Sequence, residues 1–213
     1  MARNLSGWTK LSALSNLSNT LKPRGGGWPI FSEKFPLKVK LIDPAIHVQL
    51  NEKLEAAIIE SGDALDGRTE AKCLMTNWQM HDSYQSFQMV GDAAITLADS
   101  CPLAKRTLPD GTPERVPLYI KESWGLIYEK EQYANRHTHW PSLWSYTYCV
   151  KACENCAPLV FPTVTSEPNG KAVPPQEGQI ILWPAWVNHF VGVHECDHER
   201  IMVAGNLDVG WHL

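Results

Sequence analysis

The sequence predicts a mainly β protein, a double-stranded β-helix (jelly-roll) barrel with N-terminal supporting helices. Two observations carry this. Helical periodicity is confined to the first hundred residues, and after Pro102 the texture changes to short runs rich in Val, Ile, Tyr and Trp, separated by Pro, Gly and Asn. Helices first and many strands after suggest an antiparallel barrel buttressed on one side.

The elements follow in order. Residues 1–22 are rich in Ser, Asn and Leu and read as a weak helix or loose arm. PRGGGWP at 23–29 is a break. Residues 1–30 are therefore taken as an arm or linker, and 31–213 as a single domain whose jelly-roll core spans about 116–213. In FPLKVKLID, Leu37, Val39 and Leu41 alternate with Lys38 and Lys40, the period of a half-buried strand. Asp43 and Pro44 open a helix as N-cap and first-turn proline. Ile46, Leu50, Leu54, Ala57 and Ile58 share its inward face, and Gly62 is placed to end it. A second helix is expected over 84–98, with Phe87, Val90, Ala94 and Leu97 inward. Strands are expected near 116–121, 123–130, 143–151, 157–161, 178–184 and 199–208.

Composition bounds the function. At 213 residues one domain with a sizeable core is expected. The net charge is −4, from 19 basic and 23 acidic residues with no long run of either sign, so no nucleic-acid partner is expected. No apolar stretch of membrane-spanning length occurs and the N-terminus lacks a continuous apolar signal region, so neither a membrane span nor an export signal is read. The six cysteines, Cys73, Cys101, Cys149, Cys153, Cys156 and Cys196, are then expected as free thiols in a cytoplasmic protein.

Three histidines stand out. His137 and His139 form His-Thr-His between two expected strands, and in an extended segment such residues point to one side, so two imidazoles can reach one ion. His189 follows a strand and a proline in LWPAWVNHF. Residues on separate strands of a barrel converge, so it can complete the set. Imidazole suits iron, zinc, copper and nickel. Arg200 opens RIMVAGN, and Arg200, Met202, Ala204 and Asn206 share one face. An arginine on an inward face of a barrel with a metal at its mouth offers a carboxylate site. Trp140, Trp144, Trp183 and Trp186 flank these segments and are candidates for the walls of the entrance.

Taken together, NRHTHWPS (135–142), WSYTYCV (144–150), P-x-x-G-x-x-x-L-W-P (175–184), NHFV (188–191) and ERIMVAGN (199–206) resemble the 2-oxoglutarate/Fe(II) oxygenases related to prolyl hydroxylases, of bacterial and phage type. The close resemblance spans Trp124 to Asp208. It implies a cupin-like barrel, Fe(II) and 2-oxoglutarate as cofactors, O2 as co-reactant, and hydroxylation of a C–H bond on a protein side chain or small metabolite. His137 and His189 would be iron ligands, Arg200 would pair with the distal carboxylate of 2-oxoglutarate, and Tyr148 would set its hydroxyl against the same carboxylate. Asn206 would line the pocket. One position departs from the family pattern. Its motif is His-X-Asp, and here the carboxylate position is His139, leaving the site one negative charge short. Glu131 or Glu167 is a possible replacement. A three-histidine, cupin-type dioxygenase that needs no 2-oxoglutarate is therefore an alternative, as is a non-catalytic jelly-roll module binding a small molecule or peptide.

A second ligand set is also visible. Cys153 and Cys156 form C-x-x-C, and Cys196 is followed by His198, the makings of a structural zinc site. A position at an exposed hairpin and the lack of a second C-x-x-C weigh against it.

Overall fold

The computed structural model describes residues 35–65, 68–101, 105–162 and 171–210, so the arm and break read at 1–30 lie outside the described residues, as does Glu167. The Leu/Lys alternation forms strand β1, Lys38–Leu41. Asp43 then accepts a hydrogen bond from the Ala45 N–H at 2.9 Å, and helix α1 runs Pro44–Ser61. Gly62, at φ 61°, ends it, its N–H meeting the carbonyls of Ile58 and Ile59. Leu50, Leu54, Ala57 and Ile58 are buried as the periodicity requires. Ile46 is not. It is 47% exposed, because no residue of the first turn reaches the core.

Short strands β2 (Ala71–Lys72) and β3 (Leu74–Met75) precede the one-turn helix α2 (Met80–Ser83) and helix α3 (Gln85–Ala98). Phe87, Val90, Ala94 and Leu97 of α3 are all buried. An exposed hairpin follows, β4 (Lys105–Thr107) and β5 (Pro113–Arg115). The remaining strands are β6 (Leu118–Tyr128), β7 (Tyr133–His137), β8 (Trp144–Lys151), β9 (Leu159–Phe161), β10 (Lys171–Val173), β11 (Gln179–Pro184), β12 (His189–Val191) and β13 (Arg200–Val209).

Several of these differ from expectation, and β7, β10 and β12 have no counterpart among the expected strands. The strands expected at 116–121 and 123–130 are one strand, β6, paired with β13 along its whole length. The apparent break is a register shift opposite Asn206/Leu207, where Lys121 is an extra residue that bends β6 without ending it. The histidine pair does not sit wholly between strands either, since His137 is the last residue of β7.

The strands form two main antiparallel sheets, in the order β1-β11-β8-β13-β6-β3 and β10-β9-β12-β7-β2. The helices cover the outer face of the six-stranded sheet. Leu54, Ile58, Phe87 and Val90 pack there on Trp144, Tyr146, Tyr148, Ile201 and Val203. The second core lies between the sheets, where Trp124, Leu126, Tyr128, Trp183, Met202 and Ala204 face Ala134, Leu159, Phe161 and Val191. This is the jelly-roll with supporting helices. Among the described residues no helix is long and apolar enough to cross a membrane.

Candidate active site

Strand pairing explains why distant histidines meet. β7 and β12 are neighbours, and His137 and His189 are direct cross-strand partners. His139 follows two residues on, its N–H donating to the Ala185 carbonyl at 2.8 Å, which holds the segment beyond β7 in place. One ring nitrogen from each of the three histidines lies within 4.8 Å of the others. Nε2 of His139 and Nε2 of His189 are 3.2 Å apart. Two nitrogens bound at right angles about 2.1 Å from one ion stand about 3.0 Å apart, so the spacing suits shared coordination. The tautomers suit it too. His137 Nδ1 meets the Asn135 carbonyl at 2.6 Å and His189 Nδ1 meets that of Val187 at 3.1 Å, so each Nδ1 carries the proton and each Nε2 presents its lone pair.

Burial keeps two of these rings, His139 and His189, neutral. Desolvation, then the neighbouring His189 and His137, hold His139 well below the usual imidazole range. Desolvation, with His137 adding to it, pushes His189 down to about 3. Trp183 and Phe161 wall His189 at centroid distances of 4.9 and 6.2 Å, and Trp124 lies 5.7 Å from His139 with Trp78 against it. A donor set of three imidazoles in an aromatic pocket fits a divalent transition metal.

Because both shifts are downward, the unfolded chain takes up protons on these imidazoles near pH 6.5 while the folded, metal-free chain does not. Folding stability should therefore fall as pH drops below about 6.5, by up to ~1.4 kcal/mol per pH unit for each histidine, until His189 itself titrates. Thermal unfolding of metal-free protein should show a Tm that declines by several degrees over this window. His189→Gln should flatten the slope, and equal slopes for the two proteins would contradict the assignment.

The inward face of β13 carries the second half of the site. Arg200 is 2% exposed, and Met202 and Ala204 continue its face between the sheets. Its guanidinium lies over the Tyr128 ring, 5.0 Å from the centroid. No described carboxylate forms an ion pair with it, and its Nε is a buried donor without a partner. Thr147 Oγ1 is likewise buried and unpartnered, and Thr147 pairs with Ala204 from the neighbouring strand. Burial raises the Tyr128 hydroxyl far above its ordinary pKa, with Cys73 adding to the shift and Arg200 opposing it, so the hydroxyl stays a donor. Burial also pushes the Cys73 and Cys149 thiols up to about 12.

Three of the residues expected here are placed elsewhere or differently. Tyr148 faces away from the pocket. It lies in the helix-side core, its hydroxyl donating to Asn51 Oδ1 of α1 at 2.6 Å. In WSYTYCVK the bulky Trp144, Tyr146, Tyr148 and Val150 alternate to the helices, which leaves Ser145, Thr147 and Cys149 on the inner face. Trp144 goes with Tyr148, so it walls the helix packing and not an entrance. Asn206 is inward and buried, but both ends of its amide are used within the protein, accepting from Ser145 Oγ and donating to Glu122 Oε2, each at 2.9 Å. Of the other tryptophans, Trp183 lines the site, while Trp140 and Trp186 are 73% and 39% exposed. Glu131 is exposed in the turn before β7, outside the histidine group. Tyr128, Thr147, Trp124 and Trp78 were not singled out from the sequence. Trp124 and Tyr128 share one face of β6 with Leu126, but both faces of this stretch are buried, so no polar alternation marks that face as the inner one.

Residues 122–206 match the family described as "Putative 2OG-Fe(II) oxygenase". No curated protein sequence matches the chain. Among solved structures, the viral collagen prolyl hydroxylase of Paramecium Bursaria Chlorella virus-1 in its 2OG complex is similar at a TM-score of 0.60 and 14% identity, over 80% of this chain and 94% of that one. A prolyl-4-hydroxylase of Pseudomonas putida gives 0.58 and 11%, over 82% and 93%. HygX of Streptomyces hygroscopicus, with nickel and 2-oxoglutarate bound, gives 0.55 and 11%, over 81% and 82%. At these identities the structural likeness shows the fold, a double-stranded β-helix. The family match adds a likeness in sequence: the β core of this chain, over residues 122–206, is similar to that of the 2OG-Fe(II) oxygenases.

Proposed function

We propose that His137, His139 and His189 hold the iron and that Arg200, assisted by Tyr128 and Thr147, receives the distal carboxylate of 2-oxoglutarate. The observation that carries this is a buried guanidinium with no carboxylate partner among the described residues, on the inner face of the same barrel as three convergent imidazoles. An unpaired buried charge is strongly destabilising, and an anionic ligand relieves it. The replacement of the family's acid by His139 works in the same direction, because three neutral ligands leave the charge of a divalent ion for the dicarboxylate to balance.

Bound iron in such a site supplies oxidation of a C–H bond by O2, coupled to conversion of 2-oxoglutarate into succinate and CO2. The chain's own residues prepare that chemistry. The Asn135 and Val187 carbonyls orient the imidazoles, Trp124, Trp183 and Phe161 exclude water, and Arg200 fixes the oxoacid. The substrate is a peptide side chain or a small metabolite. The fold neighbours include a collagen prolyl hydroxylase and a HygX complex with hygromycin B, one of each kind. With none of the six cysteines in a disulfide, we place the protein in a reducing cytoplasm.

Anaerobic calorimetric titration of 2-oxoglutarate tests this directly. Tyr128→Phe should weaken binding roughly 10- to 150-fold, the worth of a hydrogen bond to a charged group. Tyr148→Phe should leave affinity unchanged and cost about 1–3 kcal/mol of stability by leaving Asn51 without its donor. The reverse pattern would return the oxoacid site to Tyr148 and overturn the assignment. The presence of His139 gives one competing reading weight, a three-histidine dioxygenase without an oxoacid, and that enzyme would show no binding in either variant or in wild type.

A further inference from the structure

A second set of soft ligands meets outside the imidazole site. The turn between β8 and β9 carries Cys153 and Cys156. The loop between β12 and β13 carries Cys196 and His198, just ahead of Arg200. The three sulfurs lie within 4.8 Å of one another. Cys153 Sγ is 3.6 Å from Cys156 Sγ and 3.2 Å from Cys196 Sγ, and His198 Nδ1 is 3.2 Å from Cys196 Sγ. Ligands about 2.3 Å from a tetrahedral zinc stand roughly 3.8 Å apart, so these two sulfur pairs would open slightly around the ion, and the exposed His198, outside the three-sulfur group, would turn in to complete it.

The surroundings are those of a metal site. Backbone N–H groups point at two of the sulfurs, Cys153 N–H at Cys156 Sγ (3.3 Å) and His198 N–H at Cys196 Sγ (3.4 Å), an arrangement that stabilises thiolates. The buried His194 ties the two loops together. Its Nδ1 accepts from the Ala157 N–H at 3.3 Å, so Nε2 carries the proton and donates to the His198 carbonyl at 2.6 Å. A thiol–disulfide role fits less well. It needs two sulfurs where three converge, and Cys153 and Cys156 sit in a turn and not at a helix N-terminus.

We propose that Cys153, Cys156 and Cys196, completed by the exposed His198, form a structural zinc site that clamps the β8–β9 turn to the loop entering β13. Three thiols release their protons to solvent as Zn²⁺ binds, and the imidazole binds neutral. The ion and its ligands then carry one net negative charge, and no position is open for chemistry. The turn carrying the C-x-x-C is not the hairpin the sequence suggests, because β8 and β9 belong to different sheets, and it is this crossing between sheets that brings the turn to the second loop.

Metal analysis of protein made without a histidine tag decides this independently of the iron site. A His137→Ala/His189→Ala variant should retain about one zinc per chain, and Cys153→Ser/Cys196→Ser should hold almost none. Should the cysteine variant fail to fold, Co(II) exchanged into the histidine variant answers instead. It should show the near-ultraviolet thiolate-to-cobalt charge-transfer absorption that nitrogen ligands do not give. Native thiols should also react slowly with a disulfide reagent until zinc is chelated, then release three fast-reacting groups. The proposal is overturned if the histidine variant carries background zinc and shows no thiolate absorption. It is equally overturned if protein prepared without air contains a disulfide among these cysteines.

Discussion

Arg200→Ala should raise the dissociation constant of 2-oxoglutarate roughly 30-fold to several-thousand-fold while leaving iron bound. The range follows from the ~2–5 kcal/mol lost when one partner of a buried charge pair is truncated, at tenfold per ~1.4 kcal/mol. Arg200 is placed for the full effect, being buried, without an ion partner and with an unsatisfied Nε. Arg200→Lys should recover only part of the affinity, because an ammonium cannot make two parallel hydrogen bonds to one carboxylate. Truncation should also relieve the cost of burying an unpaired charge, so the ligand-free variant should be no less stable than wild type. A drop in affinity below tenfold would place the carboxylate elsewhere.

Alanine at His137, His139 or His189 should each abolish stoichiometric iron and leave the chain folded. Loss of a direct ligand should exceed the ~10–100-fold cost of losing an outer-shell partner. His139→Ala is the decisive member, because the family pattern places an acid there. If that variant, checked by iron analysis and far-ultraviolet circular dichroism, holds iron as wild type does, the three-histidine site is wrong.

What the sequence makes legible follows polarity and local chemistry. Asp43, Pro44 and Gly62 bound α1 because capping is decided within a few residues. His137 and His139 converge because a period of two is a property of extended chain. Arg200, Met202 and Ala204 are readable as one face for the same reason. The faces of β6 and β8 are not readable that way. Both sides of these strands are buried, one under the helices and one between the sheets, so no polar alternation marks the inside. Tyr148 and Trp144 consequently lie on the helix side, and Tyr128 lies between the sheets. The bulge at Lys121 resembles a strand break because its unpaired residue interrupts the period. In the Cys153, Cys156 and Cys196 cluster the C-x-x-C is legible locally, but its meeting with Cys196 depends on the packing of two loops separated by some 40 residues.

The central claim is that one barrel binds iron through three histidines and 2-oxoglutarate through Arg200. Its most direct test is anaerobic titration of 2-oxoglutarate into the Fe(II)-loaded wild-type protein, followed by admission of air and quantitation of succinate. Binding of one 2-oxoglutarate per chain, with succinate formed once oxygen enters, is the predicted result. No binding even at millimolar 2-oxoglutarate, in protein that holds its iron, would contradict it.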